Sequence, residues 1–210
     1  MAMRIKDLSP HIKNLIIDLG GVLLNIDYQA SKREFEALGV EDFDAHFSQM
    51  AQSHLFDRFE TGKISADDFI DAIRKEGEIG STDDEIIRAW NAMLLDFPLR
   101  RLEILEELSK EYKLYLFSNT NAIHILEFHR YLQEIGMLER FHSVFDKVYY
   151  SYAFGHRKPL PESFSALLEA EALQASECFF VDDSPQHIEG AQKAGIKSRL
   201  VTGGIESIIL

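Results

Sequence analysis

A short apolar run that stops on a carboxylate constrains this chain more than any other stretch. Leu15-Ile16-Ile17 lead into Asp18, and Gly20-Gly21 follow before Val22-Leu23-Leu24. An uninterrupted run of this length marks a strand buried on both faces, as in a parallel sheet covered by helices. The glycine pair lets the backbone turn sharply and approach a ligand closely. Asp18 then either terminates the strand as a local cap or stands there for chemistry, and the later stretches bear on that choice.

Similar runs recur, separated by helical periodicity. Tyr112 to Phe117 reads as a buried strand that stops at Ser118-Asn119-Thr120-Asn121; another strand lies near Val144 to Tyr150. Cys178 to Val181 ends on Asp182-Asp183, and Arg199 to Val201 closes the series. Between them Leu102, Leu105 and Leu108 after Pro98 form a core-facing stripe, a helix spans about Ala122 to Ile135, and Phe164, Leu167 and Leu168 mark the next. Ser184 is placed to cap, and Pro185 to open, a helix that runs to Gly195. Alternating β and α elements of this length predict an α/β fold with a doubly wound parallel sheet and right-handed crossovers.

From about Ala30 to Met93 the pattern is helical throughout. Phe35 and Leu38 precede the stop at Gly39, and a helix through His54, Leu55 and Phe59 ends at Thr61-Gly62. Ser65-Ala66-Asp67-Asp68 is an acidic variant of a capping box, with Phe69 and Ile73 one turn apart behind it. Thr82-Asp83-Asp84-Glu85 is a fuller box, followed by the stripe Ile86, Trp90, Met93. The chain therefore divides into an α/β core, 1–26 plus 97–210, and an inserted all-helical unit, 27–96.

With 35 acidic against 22 basic residues the formal charge is −13, and no Lys/Arg run compensates it. Nucleic acid and anionic membranes are therefore excluded as main partners, and an anionic substrate would need a cation to help hold it. Cys178 is the single cysteine, so no disulfide forms within the chain, which fits a reducing compartment. Met1 to His11 carries Arg4 and Lys6 but no apolar segment of signal-peptide length, and no run approaches the ~18 apolar residues of a membrane span. A soluble cytoplasmic protein is the expectation, and the sequence carries no signal of oligomeric state.

In an open α/β sheet the ligand lies outside the carboxyl ends of the strands. Three strands here end in Asp18, Ser118-Asn119 and Asp182-Asp183, while Lys158 stands on the loop Gly155-His156-Arg157-Lys158-Pro159. Converging carboxylates repel unless a cation joins them, and hard oxygen ligands of this kind suit Mg²⁺. A hydroxyl, an amide and an ammonium nearby match the non-bridging oxygens of a phosphoryl group. The inventory points to a phosphorylated ligand.

These residues, in this order, resemble the haloacid dehalogenase-like (HAD) hydrolases over nearly the whole chain. Asp18-Leu19-Gly20-Gly21-Val22, Ser118-Asn119-Thr120, Lys158-Pro159 and Asp182-Asp183 look like the four motifs of that family, and the helical insertion falls where its helical (subclass I) cap sits. Asp-Leu-Gly-Gly-Val, Ser-Asn-Thr-Asn followed by His124, and Arg-Lys-Pro are similar to the branch that contains α-glucose-1-phosphate phosphatase-like enzymes. The resemblance implies a Rossmann-like core and a Mg-dependent phosphatase of small metabolites, plausibly sugar phosphates. Asp18 would attack phosphorus and form an aspartyl-phosphate. Mg²⁺ would be held by Asp18, the Gly20 carbonyl and Asp183, with Asp182 a direct or water-mediated second acid. Ser118, Lys158 and the Asn119 backbone N–H would meet the phosphoryl oxygens, and His124 is placed to reach the substrate.

One departure stands out. Phosphatases of this family usually carry an Asp two residues after the nucleophile, to protonate the leaving oxygen and later activate water; here that residue is Gly20. General acid–base help is worth ~10²–10⁴ in rate. Either another group, such as Asp27, His54 or His124, takes over, or the leaving group needs little protonation, as the hemiacetal oxygen of a sugar 1-phosphate would. Two further readings stay open. A metal-free 2-haloacid dehalogenase shares the Asp nucleophile and also lacks the second Asp; a non-catalytic phosphometabolite- or partner-binding protein would keep the fold alone.

Overall fold

The computed structural model describes residues 5–6, 8–46 and 54–209. Five strands form one sheet: β1 (Asn14–Ile17), β2 (Lys113–Ser118), β3 (Lys147–Tyr150), β4 (Cys178–Asp182) and β5 (Lys197–Leu200). Every pairing is parallel, in the order β3-β2-β1-β4-β5. The expected α/β architecture, with a helical insertion between the first two strands, is the one observed.

Side chains of the central strand go alternately to two apolar layers, as the period of two requires. Leu15 and Ile17 pack with Leu114, Leu116 and Val181 against α5 (Leu99–Leu108) and α6 (Ala122–Glu134). Ile16 packs with Tyr115, Phe117 and Phe180 against α9 (Pro161–Ala170) and α10 (Pro185–Lys193), with Phe154 of the single-turn α8 (Ser151–Phe154) at the edge of the layer. The three apolar side chains of β1, Leu15, Ile16 and Ile17, are fully buried, so each contributes roughly 1.5–3 kcal/mol of burial. This two-sided core fixes where β1 stops. Ile17 lies level with Leu116 and Val181, which sets Asp18 beside Asp182 with Ser118 one step farther along β2. The chain leaves β1 toward β2 on one side and returns to β4 on the other, so Asp18 and Asp182 flank the reversal of strand order where α/β sheets bind ligands.

The insertion contains α1 (Tyr28–Ala37), α2 (Leu55–Glu60), α3 (Ala66–Glu76) and α4 (Asp83–Asn91). Asp27 caps α1 by accepting the Gln29 N–H, and both capping boxes form, Ser65 with Asp68 and Thr82 with Glu85. Phe35, Phe59, Phe69, Ile73, Ile86 and Trp90 build a separate apolar cluster, with Phe59 stacked on Phe69 at 4.1 Å and Trp90 edge-on to Phe69 at 4.9 Å. The chain enters and leaves this layer through antiparallel backbone: Asn25 N–H donates to Asp96 O at 3.0 Å, Leu95 N–H to Asn25 O at 3.0 Å and Asp27 N–H to Met93 O at 2.9 Å.

Three local expectations differ from the structure. Pro98, whose fixed φ suits a place just inside a helix start, stands instead at the cap of α5, one residue before its first turn. The stretch at Val144 closes α7 (Leu138–Ser143), and β3 begins only at Lys147. There Asp146 accepts the Leu114 N–H through its side chain and donates its own N–H to the Leu114 carbonyl, ending the helix and starting the edge strand. Ser184 takes the cap position of α10 without a side-chain cap bond; its N–H donates instead to Asp182 Oδ1 at 2.8 Å.

Candidate active site

Asp18 continues β1 through its N–H, which donates to Val181 O at 3.0 Å. Its side chain is buried and meets the Lys158 ammonium, Nζ to Oδ1, at 2.8 Å. The same ammonium lies 2.6 Å from Asp182 Oδ2, and neither Lys158 nor Asp182 has exposed surface. Rings of Phe117 and Phe180 lie 5.5 and 5.3 Å from Nζ. Burial opposes the Lys158 charge, but Asp18 and Asp182 outweigh it and hold the ammonium above its ordinary range.

Asn119 places that lysine. Its amide spans the backbone of residue 158, accepting the Lys158 N–H at 2.9 Å and donating to the Lys158 carbonyl at 2.8 Å. The Asn119 side chain is therefore committed to the loop, leaving the backbone N–H as its contribution to any phosphoryl group. Ser118, at the end of β2, is 3% exposed and lines the same cavity as Asp18.

The two acids after β4 differ in kind. Besides Lys158, Asp182 accepts from the Ser184 N–H, and His187 Nδ1 lies 2.9 and 3.0 Å from its two oxygens. Burial works against ionisation of Asp182, but Lys158 and His187 outweigh it and hold its carboxyl below the usual range. For Asp18 burial is the largest effect and the Asp182 charge adds to it, so its carboxyl is pushed up despite Lys158. One ammonium thus serves two buried acids, and Asp182 keeps the charge more readily. Asp183 is exposed and raised by burial of one side and by Asp182. Its carboxylate lies against Gly21, where a Cβ would fall 2.0 Å from Oδ2, and Gly21 has φ +69. The close approach expected at the glycine pair is made by this acid. Asp18, Asp182 and His187 each bring one ligand-capable atom within 4.8 Å of the others.

Above these residues is a cavity of about 310 Å³ whose far wall is the helical insertion: Tyr28, Glu60, Met93 and Leu94 face Asp18, Gly20, Ser118 and Asp183 across it. His124, from α6, also lines it. Its Nδ1 pairs with Asn91 Oδ1 at 2.9 Å, its ring stacks on Trp90 at 5.0 Å, and burial pushes it down from 6.5 to about 3. It stays neutral, and with Nδ1–H donating to Asn91 the other ring nitrogen is an acceptor. It lines the cavity as its place after the second motif implied, and as a neutral acceptor it suits a substrate hydroxyl better than an anionic phosphoryl oxygen. Asp27 is committed to the α1 cap and to Arg33, and His54 lies beside Asp57 in a separate groove, so neither faces the cavity.

Four side chains of this neighbourhood escape a linear reading. His187 had a local signal: five residues after Asp182, in the first turn of α10, its side chain leans back toward the strand end. Tyr28 and Glu60 had none, and Arg157 was visible only as the first residue of Arg-Lys-Pro, because the places of all three depend on how α1 and α2 lie over the core. Tyr28 is 67% exposed, but its hydroxyl end lines the cavity, where lost solvation and the charges of Asp183, Asp18, Glu60 and Asp182 push it up to about 12.

An acid at the end of the central strand, a buried lysine it shares with a second acid, and a helical layer over the cavity are the arrangement expected of a haloacid dehalogenase-like hydrolase. The chain belongs to that family, whose model, described as haloacid dehalogenase-like hydrolase, matches residues 12–195. It is 32% identical to a D-ribitol-5-phosphate phosphatase of Bacteroides thetaiotaomicron over 191 residues, 89% of this chain and 90% of that one. A HAD family enzyme of the same organism, solved in complex with magnesium and inorganic phosphate, superposes with TM-score 0.81 at 34% identity, covering 91% of this chain and 95% of that one. A HAD-like family hydrolase of Porphyromonas gingivalis superposes with TM-score 0.75 at 27% identity, covering 92% of each chain. Among the described residues no helix is long and apolar enough to cross a membrane.

Proposed function

We propose that this protein is a Mg-dependent phosphatase of small sugar or sugar-alcohol phosphates, acting through an aspartyl-phosphate on Asp18. The observation that carries the reading is the buried Asp18–Lys158–Asp182 group opening onto a cavity that Ser118 and Asp183 also line. Asp18 and Asp182 share one lysine and Asp183 stands beside them, so three acids face one cation and the donor set, with its excess negative charge, fits a small hard cation. Asp18, the Gly20 carbonyl and Asp183 would hold Mg²⁺. Asp182, already bonded to Lys158, Ser184 and His187, would act beside it by fixing Lys158 rather than as a direct ligand. A metal held there would supply charge against the phosphoryl oxygens and would favour the ionised form of Asp18. Lys158, Ser118 and the Asn119 N–H orient the phosphoryl group for in-line attack by the Asp18 carboxylate, and water then releases phosphate from Asp18.

For substrate, two candidates differ chemically. The branch resemblance favours a sugar 1-phosphate, which leaves as a hemiacetal oxygen; the Bacteroides relative acts on D-ribitol 5-phosphate, which leaves as a primary alcohol. The second is favoured here because the cavity wall supplies hydroxyl-binding groups, Tyr28 and neutral His124, suited to an open-chain polyol. The acidic composition and the buried Cys178 fit a cytoplasmic setting.

Phosphate release from a panel holding both substrates, with Mg²⁺ and with EDTA, tests the reading. Turnover that needs the metal and vanishes in Asp18→Asn supports it. Halide release from 2-haloacids without metal, or tight phospholigand binding without turnover, overturns it in favour of a dehalogenase or a binding protein.

A further inference from the structure

An alkyl phosphate cannot lose its alcohol as a bare alkoxide at neutral pH at a useful rate; the leaving oxygen needs a proton. None of the polar groups at the strand ends is free to give one. The Lys158 ammonium is committed to Asp18 and Asp182, and Asp182 is ionised by that ammonium and His187. Gly20 has no side chain. In-line attack by Asp18 puts the leaving oxygen on the face of phosphorus turned away from the core. That face looks toward the helical insertion.

We propose that Glu60, at the end of α2, gives its proton to the leaving oxygen and then takes one from the attacking water. The inference rests on the phosphatase reading above. Glu60 stands in the cavity wall contributed by the insertion, across from Asp18. Its Oε2 is shielded from solvent and accepts no well-aligned hydrogen bond, so its one close partner is a guanidinium. Arg157, on the loop that carries Lys158, lies 3.0 Å away as an ion pair and also engages Asp57 on the same helix. The turn after Glu60 is seated on the core: Gly62 has φ +68, and a Cβ there would fall 2.2 Å from the Tyr152 carbonyl. The carboxyl is thus held at a fixed height over the cavity floor.

The charged and titratable groups around it are few. Arg157 faces it from the core loop, Tyr28 from α1 and Asp57 from its own helix, while Asp18 and Asp183 lie across the cavity. Burial raises the Glu60 carboxyl from 4.5 to about 7, while the Arg157 guanidinium, shared with Asp57, pulls the other way and favours its charged form. It can therefore both hold and release a proton near neutrality. In the first step the bond from Asp18 oxygen to phosphorus forms, the bond from phosphorus to the substrate oxygen breaks, and the Glu60 proton moves to that oxygen, giving a neutral alcohol. In the second, water attacks phosphorus, its proton returns to the Glu60 carboxylate, and the Asp18–phosphorus bond breaks to give phosphate. Arg157 stabilises Glu60 while it is charged between the two steps.

The test compares leaving groups in single-turnover experiments with Mg²⁺. Glu60→Gln is expected to slow alcohol release from ribitol 5-phosphate by ~10²–10⁴-fold, while the burst of p-nitrophenolate from p-nitrophenyl phosphate, which leaves without protonation, stays within about tenfold of wild type. Glu60→Asp, which keeps a carboxyl, is expected to retain a wild-type alkyl-to-aryl ratio to within about tenfold. Urea midpoints of both variants report whether the fold is intact. Equal losses on the two substrates, or a change confined to KM for ribitol 5-phosphate, would overturn the role of Glu60. A wild-type protein that turns over neither phosphate would overturn the phosphatase reading itself.

Discussion

Two groups on the cavity wall titrate in opposite directions, and acidification separates them. His124 is held neutral by burial, from 6.5 down to about 3, so the unfolded chain binds its proton first. Its contribution to stability is present above pH 6.5 and is lost as pH falls toward 3; between pH 7 and pH 5 the loss is about 2 kcal/mol. Glu60 is raised from 4.5 to about 7, so the native state binds its proton first. Its burial destabilises the fold above that value, and between pH 7 and pH 5 stability recovers by about 2 kcal/mol. Both side chains are mostly shielded, with 8% of His124 and 21% of the Glu60 side chain exposed, so neither figure is much screened by solvent. The two effects nearly cancel in the wild type, and single variants unmask them. Urea unfolding in EDTA, which keeps metal binding out of the balance, is to be compared at pH 7 and pH 5. Relative to wild type, Glu60→Gln is expected to lose about 2 kcal/mol on acidification and His124→Gln to gain about as much. The double variant should return to the wild-type slope if the two sites act independently. A stability difference from wild type that is the same at both pH values, for either variant, refutes the burial argument for that residue.

Gly21→Ala forces φ +69 on a side chain whose Cβ meets Asp183 Oδ2 at 2.0 Å. It is expected to lower stability by ~1–3 kcal/mol in thermal melts and to weaken Mg²⁺ binding by calorimetry, whereas Gly20→Ala, meeting only the Ile26 methyl at 3.2 Å, is expected to lose less. Lys158→Met leaves Asp18 and Asp182 buried without their cation, at ~3–5 kcal/mol in urea unfolding; adding Asp182→Asn is expected to recover part of that stability but no phosphatase activity. Asp183→Asn is expected to raise the Mg²⁺ concentration for half-maximal turnover more than tenfold, roughly 1.4 kcal/mol or more of metal affinity. Asp182→Asn is expected instead to lower the urea midpoint, because it loosens Lys158.

What the sequence made legible follows from the range of the interactions involved. Each strand is announced by its own apolar run, since Leu15, Ile16 and Ile17 must be buried on two faces wherever the rest of the chain goes. Polar residues at the ends of such runs share one edge of a parallel sheet by construction, so Asp18, Ser118 and Asp182 could be grouped without coordinates. Whether Asp182 meets the metal directly or through water was open in the sequence because its setting is made by partners elsewhere: Lys158, 24 residues away, and His187 take Asp182 and leave Asp183 against Gly21. Glu60 lay farther from view still. Beside Arg58 on a short helix it reads as a solvated surface acid, and its burial follows only from the docking of Gly62 against Tyr152 and of Arg157 beneath α2. The core chemistry is written at strand ends, where secondary structure alone brings residues together. The leaving side of the reaction is built from contacts between two layers, which no periodicity encodes. That division explains why Gly20 looked like a missing acid: the core lacks one, and the cavity does not.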